Sequence, residues 1–253
     1  MIPIERHQQI VALVQLRGVV SIAELSDRLA VSHMTIRRDL QKLEEQGIVQ
    51  LVSGGVRSTE RLSSEPSHQD KTSMCGLEKQ AIGRAAALNI PLNSCIYLDA
   101  GTTTLALARE LGMRDDLLIV TNDFVIAHFL LDHSQCQMIH TGGKVCRDNR
   151  SCIGEAAAQT LRGLSLDIAF ISASCWSPRG IFTPDEDKVA IKRTASDISS
   201  KRVLLADSSK YNKIATFLAL PLANFDHVIT DFHLPDSAQQ ELKKHKFEVT
   251  LAG

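Results

Sequence analysis

Apolar residues recur along this chain with two different periods. In the first 57 residues the period is helical. Ile10, Val11, Leu13 and Val14 fall within Ile4–Leu16, and Gly18 follows as a stop. Ile22, Leu25 and Leu29 make a second stripe; Ile36, Leu40 and Leu43, at i, i+4 and i+7, make a third. Ser21 and Ser32 precede these two stripes, where a hydroxyl can accept a first-turn N–H. Glu24 follows Ser21 by three positions, as in a capping box. Only Val31 and Ser32 separate the two helices, so the pair predicts a helix-turn-helix. Gly47 is a C-terminal stop for the third helix. Beyond it, Ile48–Val56 reads as two short strands around Gly54 and Gly55. The predicted architecture is a winged helix-turn-helix over residues 3–58.

Residues 59–74 change the pattern. They are polar, with Leu62 the one aliphatic residue before Met74, and cannot bury enough surface to form a core element. They predict a hinge. From residue 75 to 253 short apolar runs alternate with helical patterns. The runs end at Asp99, Thr121, His140, Ala173, Ala206, Asp231 and Leu251. Helices are expected at Leu77–Leu88, Thr104–Leu111, Asp123–Asp132, Glu155–Leu164, Lys188–Ser199 and Asp236–Lys244. This alternation predicts an α/β fold with a mostly parallel sheet. Trp176 is placed in a loop.

Charge adds less than placement does. The 253 residues carry 28 basic and 29 acidic side chains, a formal net charge of −1. Residues 1–57 hold seven Arg and Lys against six acids, so nucleic-acid binding there must rest on where the cations stand. On the third helix Met34, Arg38 and Gln41 point away from the apolar stripe, flanked by Thr35, Arg37 and Lys42. Two guanidiniums, a hydroxyl and an amide can bond phosphates and base edges in a major groove. A solvated helix face would look the same in isolation; the preceding helix and short turn favour DNA. His33 stands between a base-reading and a packed or capping role. The six cysteines are scattered without a C-x-x-C pair, which argues against a zinc site and fits free thiols in a reducing compartment. No apolar run approaches the ~20 residues of a membrane span, and the start lacks a signal-peptide core. The expectation is a cytoplasmic protein with no cofactor and no metal.

In a parallel sheet, ligands sit at the carboxyl ends of strands. Polar clusters follow four of the predicted strands. The first is Asp99-Ala-Gly101-Thr102-Thr103-Thr104, where a glycine and three hydroxyls enter a helix N-terminus; free N–H groups and the helix dipole suit an anion such as phosphate. A capped turn without a ligand is the alternative. The others are Thr121-Asn122, Thr141-Gly142-Gly143-Lys144 and Asp207-Ser-Ser-Lys210. Lys192 follows Asp185-Glu186-Asp187 and faces either the same cleft or solvent.

Val31-Ser32-x-x-Thr35-Ile36-Arg37-Arg38-Asp39-Leu40, followed by Leu43, Gly47, Gly54 and Gly55, resembles the DeoR family of bacterial transcriptional regulators. The Asp-x-Gly-Thr-Thr, Thr-Asn, Gly-Gly and Asp-Ser-Ser-Lys motifs recur in order, so the resemblance spans nearly the whole chain. It implies that Ser21, Ser32, Thr35, Arg37, Arg38, Gln41 and Lys42 contact operator DNA, with His33 and Met34 in the variable, base-reading slots. Leu51 and Ser53 replace the usual Arg and His of the wing. The resemblance also implies a body similar to ribose-5-phosphate isomerase-like enzymes, kept as a sensor of a phosphorylated sugar or sugar acid. Gly101–Thr104 would hold phosphate. Asp99, Asn122, Lys144, Asp207 and Lys210 would bond hydroxyls or charge, with Thr121, Gly142, Gly143 and Lys192 beside them.

Two function classes remain open on the residues. One is a repressor of a carbohydrate-catabolism operon, a homo-oligomer (dimer or tetramer) on double-stranded operator DNA, released by a phosphorylated sugar effector. The other is a sugar-phosphate isomerase with a DNA-binding head, using Asp185, Glu186 or Asp187 as base near Lys192. Nothing in the sequence singles out one poised carboxylate. DNA binding without ligand control leaves the phosphate loop unexplained.

Overall fold

The computed structural model describes residues 2–253. The head runs α1 (Pro3–Arg17), β1 (Val19–Ser21), α2 (Ile22–Leu29), α3 (His33–Glu45), β2 (Val49–Val52) and β3 (Gly55–Ser58). Both serine caps form: Ser21 Oγ accepts Glu24 N at 3.1 Å and Ser32 Oγ accepts Thr35 N at 3.2 Å. The Glu24 carboxylate does not turn back to close a box. It accepts from Arg28 Nε at 3.0 Å and pairs with Arg17. The three apolar stripes meet in one cluster with Val20, Val49 and Val56. β1, absent from the sequence reading, pairs with β3 on the side opposite β2. Gly55 permits this approach, because a Cβ there would lie 2.5 Å from Val20 O.

Inside the head, Asp39 is a buried carboxylate. It accepts from Arg6 Nε and Nη2 at 2.5 and 3.1 Å, and His7 Nε2 lies 3.0 Å away. This ties α1 to α3. The guanidinium and imidazole hold the Asp39 carboxyl below its usual range against the opposing effect of burial.

The body continues with β4 (Glu60–Arg61), α4 (His68–Ser73), α5 (Gly76–Ala87), β5 (Cys95–Leu98), α6 (Thr102–Glu110), β6 (Leu118–Thr121), α7 (Phe124–His133), β7 (Gln137–His140), β8 (Lys144–Cys146), β9 (Ser151–Ile153) and α8 (Gly154–Arg162). Then come β10 (Leu166–Ser172), β11 (Cys175–Ser177), β12 (Gly180–Thr183), α9 (Asp187–Asp197), β13 (Ser199–Leu205), β14 (Lys213–Ile214), β15 (Phe217–Pro221), β16 (His227–Asp231), α10 (Asp236–Leu242) and β17 (Glu248–Ala252). Seven strands form one sheet in the order β17-β16-β13-β10-β5-β6-β7. Its pairs are all parallel. Successive strand residues serve opposite faces. Ile96, Leu98, Ile119, Phe170, Val203 and Ile229 pack with Ile82, Leu107 and Ile126 of α5–α7. Tyr97, Val120, Ile171, Leu204 and Val228 pack with Leu161, Ile191 and Leu242 of α8–α10. The result is the expected α/β body, with helices on both faces of a parallel sheet.

Two expectations are corrected. Residues 59–74 do not form a bare hinge: β4 pairs in parallel with β14, and α4 is closed by a capping box between Ser67 and Asp70. The segment is held mainly by polar contacts, with Leu62 packed against the small apolar cluster of Cys175, Phe182 and Ala215, which its composition concealed. Trp176 lies in β11, not in a loop. It is fully buried, its ring meets Tyr211 edge-on at 4.7 Å, and its indole N–H donates to Asp207 O at 3.4 Å. β8, β9, β11, β12, β14 and β15 have two to five residues each, mostly too short for alternation to show.

His68 opens α4 and is buried. Burial, with the charges of Lys71, Arg150 and Lys79, pushes its imidazole down to about 4. It is therefore neutral in the fold at neutral pH, whereas the unfolded chain takes up a proton below about 6.5. Stability present above pH 6.5 is lost as the pH falls toward 4. His68→Gln should lose less stability than the parent between pH 7 and 4.5, measured by urea unfolding at each pH. Asp39→Ala should lower head stability by about 2–3 kcal/mol, the range for removing a hydrogen-bonded charge from a buried partner, read as an earlier unfolding transition.

Candidate functional site

In the order of the large sheet, the strands run outward from β5 through β6 to β7, and outward from β10 through β13 and β16 to β17. The direction reverses between β5 and β10. Such a reversal opens a crevice at the carboxyl ends of the two strands, because their following connections leave to opposite sides. Asp99 follows β5, and Ser172 ends β10. The crevice is lined by these two, by Ala100, Asn122, Asn149, Ser151, Ile153, Ser174, Ile191 and Lys192, and by Glu65 and Lys188.

Asp99 is the centre of the crevice. Its Oδ2 accepts from Ser172 N and Ser172 Oγ, both at 3.0 Å, and from the Lys192 ammonium. Its Oδ1 is 3.3 Å from the Tyr97 hydroxyl, which also donates to Asn122 Oδ1 at 2.9 Å. Burial pushes the Tyr97 phenol well above its ordinary range, so it stays protonated and donates. Asn122 Nδ2 donates to Cys152 O at 2.8 Å. Lys192 gives a second hydrogen to Ser172 O at 2.8 Å. An ammonium has three donors, so one is left for a ligand. Lys192 therefore faces the cleft, the first of its two sequence alternatives.

Beside this crevice, α6 starts after Gly101. Its first intrahelical bond runs from Leu105 N to Gly101 O at 2.9 Å, so the N–H groups of Thr102, Thr103 and Thr104 lie ahead of the ladder. The hydroxyls of Thr102 and Thr103 are buried and have no partner within the protein. Thr104 Oγ1 is satisfied by Asp99 O and Gly101 O. Gly101 N donates to Asp123 Oδ2 at 3.1 Å, and burial raises the Asp123 carboxyl to about 6. A Cβ at Gly101 would lie 3.1 Å from Ser172 Oγ, so a larger residue there would press on that serine. The turn thus leaves two buried hydroxyls without partners at a positive helix end, next to the crevice but outside its lining residues, a combination that suits an anion.

Other sequence candidates lie elsewhere. Thr121 Oγ1 donates to Leu98 O at 2.7 Å and braces neighbouring strands. Gly142 N bonds His140 Nδ1, Gly143 packs against Ala157, and Lys144 is exposed and pairs with Asp187 at 2.6 Å. Asp207 is buried with Lys210 at 3.3 Å, outside the crevice lining. The sequence reading missed Glu65, Asn149, Ser151, Ser172, Ser174 and Lys188. Ser172 carried a signal, as the polar end of an apolar strand. Lys188 did too, standing one helical turn before Lys192. Glu65 had none. Among the described residues no group of three or more His, Cys, Asp and Glu side chains is placed to hold a metal ion, and no helix is long and apolar enough to cross a membrane.

In the head, α3 leaves His33, Met34, Arg37, Arg38, Gln41 and Lys42 exposed, with Met34 73 % accessible. His33 is not packed, and the cap is Ser32. Ser32 and Thr35 hydroxyls lie 3.0 Å apart at the start of the helix, and Ser21 is exposed at the start of α2. On the wing, Leu51 packs against the head core and Arg57 projects, bonded to Gln50. A cation therefore stands on β3 although the usual basic position on β2 is apolar.

Comparison with known proteins agrees with both halves. A family model described as the DeoR-like helix-turn-helix domain matches residues 6–61, and one described as the DeoR C terminal sensor domain matches residues 75–232. The uncharacterized HTH-type transcriptional regulator YgbI of Escherichia coli (strain K12) is 60% identical over 252 residues, covering 100% of this chain and 99% of that protein. The Glycerol-3-phosphate regulon repressor of the same strain is 32% identical over 248 residues, covering 98% of each. A solved ribose 5-phosphate isomerase A from Methanocaldococcus jannaschii is similar over 53% of each chain, at 16% identity and a TM-score of 0.39, too distant to carry an argument about the site. These curated relatives are named as regulators, not enzymes. With its two halves matched in order and relatives aligned end to end, this chain belongs to the DeoR family of transcriptional regulators.

Proposed function

We propose that the chain is a repressor of a carbohydrate-catabolism operon, that α3 reads its double-stranded operator, and that a phosphorylated sugar or sugar acid bound at the β5–β10 crevice releases it. The observation that carries the ligand half is the pair of buried, unpartnered hydroxyls of Thr102 and Thr103 at the α6 N-terminus, beside the Asp99–Lys192 pair. Phosphate would take the helix end and those hydroxyls. The remaining Lys192 hydrogen and the Asn122, Asn149 and Ser151 side chains would meet sugar hydroxyls. Asp99 accepts from four donor atoms and orients Lys192. The isomerase reading needs Asp185, Glu186 or Asp187 as base, yet none of the three lines the crevice, and the relatives named as regulators speak against it. Repression follows the name of the 32% identical relative. A coupling of roughly 1–3 kcal/mol between ligand and DNA would suffice for release. The protein is proposed to act as a homo-oligomer on a repeated or palindromic site.

On duplexes selected by the protein from a random pool, Arg37→Ala and Arg38→Ala should each weaken binding by about tenfold or more. A phosphate-bonding arginine should also reduce the slope of log affinity against log salt by about 0.9, and a base-reading one should relax sequence preference. Unchanged affinity and slope in both variants would remove α3 from its role. In thermal unfolding, a sugar phosphate should raise the melting temperature where its unphosphorylated form does not. Thr103→Val should abolish that shift while leaving the unliganded melting temperature within a few degrees. A broad ester panel without any shift would sink the ligand half.

A further inference from the structure

The crevice is narrow. Its free volume is about 10 Å³, room for about one water molecule. A sugar phosphate cannot enter unless something leaves. Among the residues lining the crevice, Glu65 alone comes from the segment between head and body. Its carboxylate is clamped by two buried ammoniums, Lys71 at 2.7 Å and Lys188. Lys71 comes from α4 and also donates to Asn149 Oδ1 at 2.5 Å. Lys188 comes from α9, one turn before Lys192.

The chemistry of this clamp is specific. Two ammoniums shielded from water require an anion. Glu65 supplies it from a polar strap, and the two lysines hold its carboxyl far below the usual range despite burial. A ligand that displaces Glu65 and offers only a hydroxyl or aldehyde leaves both cations unpaired. A ligand that offers a carboxylate gives them the group they already hold.

We infer that Lys188 and Lys71 form a second anion subsite in the sensor crevice, that Glu65 fills it when no ligand is bound, and that the effector is a phosphorylated sugar acid whose carboxylate takes the place of Glu65. This rests on the crevice being the phosphate-ester site proposed above. The exchange is also placed to reach the DNA-binding head. Glu65 lies seven residues beyond Ser58, the end of the wing strand β3, so freeing its carboxylate loosens the strap that joins wing to body.

The test is calorimetric titration of the full-length protein with aldonate phosphates of three to six carbons and the matching aldose phosphates. At least one aldonate phosphate should bind about tenfold or more tightly than its aldose partner, since a site built around charged groups rejects the analogue that leaves them unpaired. Lys188→Gln should remove that preference while keeping aldose phosphate binding. Glu65→Gln, which removes the internal competitor, should tighten aldonate phosphate binding several-fold, and its lowered melting temperature should be restored by that ligand. Equal binding of acids and aldoses, or a preference that survives Lys188→Gln, overturns the subsite and leaves the phosphate-ester reading standing. Failure of every ester to bind overturns that reading and the subsite with it.

Discussion

The buried ion pair between Asp99 and Lys192 is the constraint on which the sensor half depends. Moving either charge out of water alone would cost several kcal/mol, so the protein surrounds the pair with donors and acceptors. Asp99 receives the Ser172 amide and hydroxyl, the Tyr97 hydroxyl and the ammonium. Lys192 also reaches Ser172 O. These contacts join the ends of β5 and β10 to α9 at the point where the sheet reverses direction. The same set that satisfies the charges also fixes the crevice floor, so the groups facing the crevice are already oriented.

Charge is arranged in a second tier around that floor. Glu65 bridges Lys71 and Lys188, and the Lys79 ammonium donates to Lys71 O and Met74 O at 2.5 Å. A polar segment is thereby held against the body without an apolar core of its own. The outer end of the same segment meets the head. Thr59 Oγ1 donates to Gly47 O at 3.1 Å, and Gly47 lies against Ser177 and Arg179 of the body. Few residues separate the crevice from the base of the wing, and polar contacts connect them. Polar contacts can be exchanged for a ligand's own groups, which a packed apolar interface cannot do.

The head obeys a different economy. Its barely basic composition places cations by geometry. The stripe of Ile36, Leu40 and Leu43 anchors α3 in the core, and the opposite face is left to Arg37, Arg38, Gln41 and Lys42. Asp39, on the buried side, is used to clamp Arg6 and His7 of α1. Adjacent residues of one motif thus divide between an exposed cationic face and inward stability.

The sequence by itself determined the three head helices, their serine caps, the wing strands and the alternating α/β body, because each depends on local periodicity or local hydrogen bonding. It also pointed to Asp99 and Asn122, which line the crevice, since a polar residue after a buried strand must emerge at one edge of the sheet, and it left Lys192, on a helix, open between cleft and solvent. It did not determine position along that edge. β7 lies two strands from β5, so Lys144 reaches Asp187 rather than the crevice, and β13 carries Asp207 to the far side of β10. Strand order, and with it the meeting of Asp99 with Ser172, was decided by the tertiary structure. So was the entry of Glu65, whose composition read as solvated linker. Its burial rests on Lys71 and Lys188, the second of them more than a hundred residues away in the chain, and no local pattern encodes such a pairing.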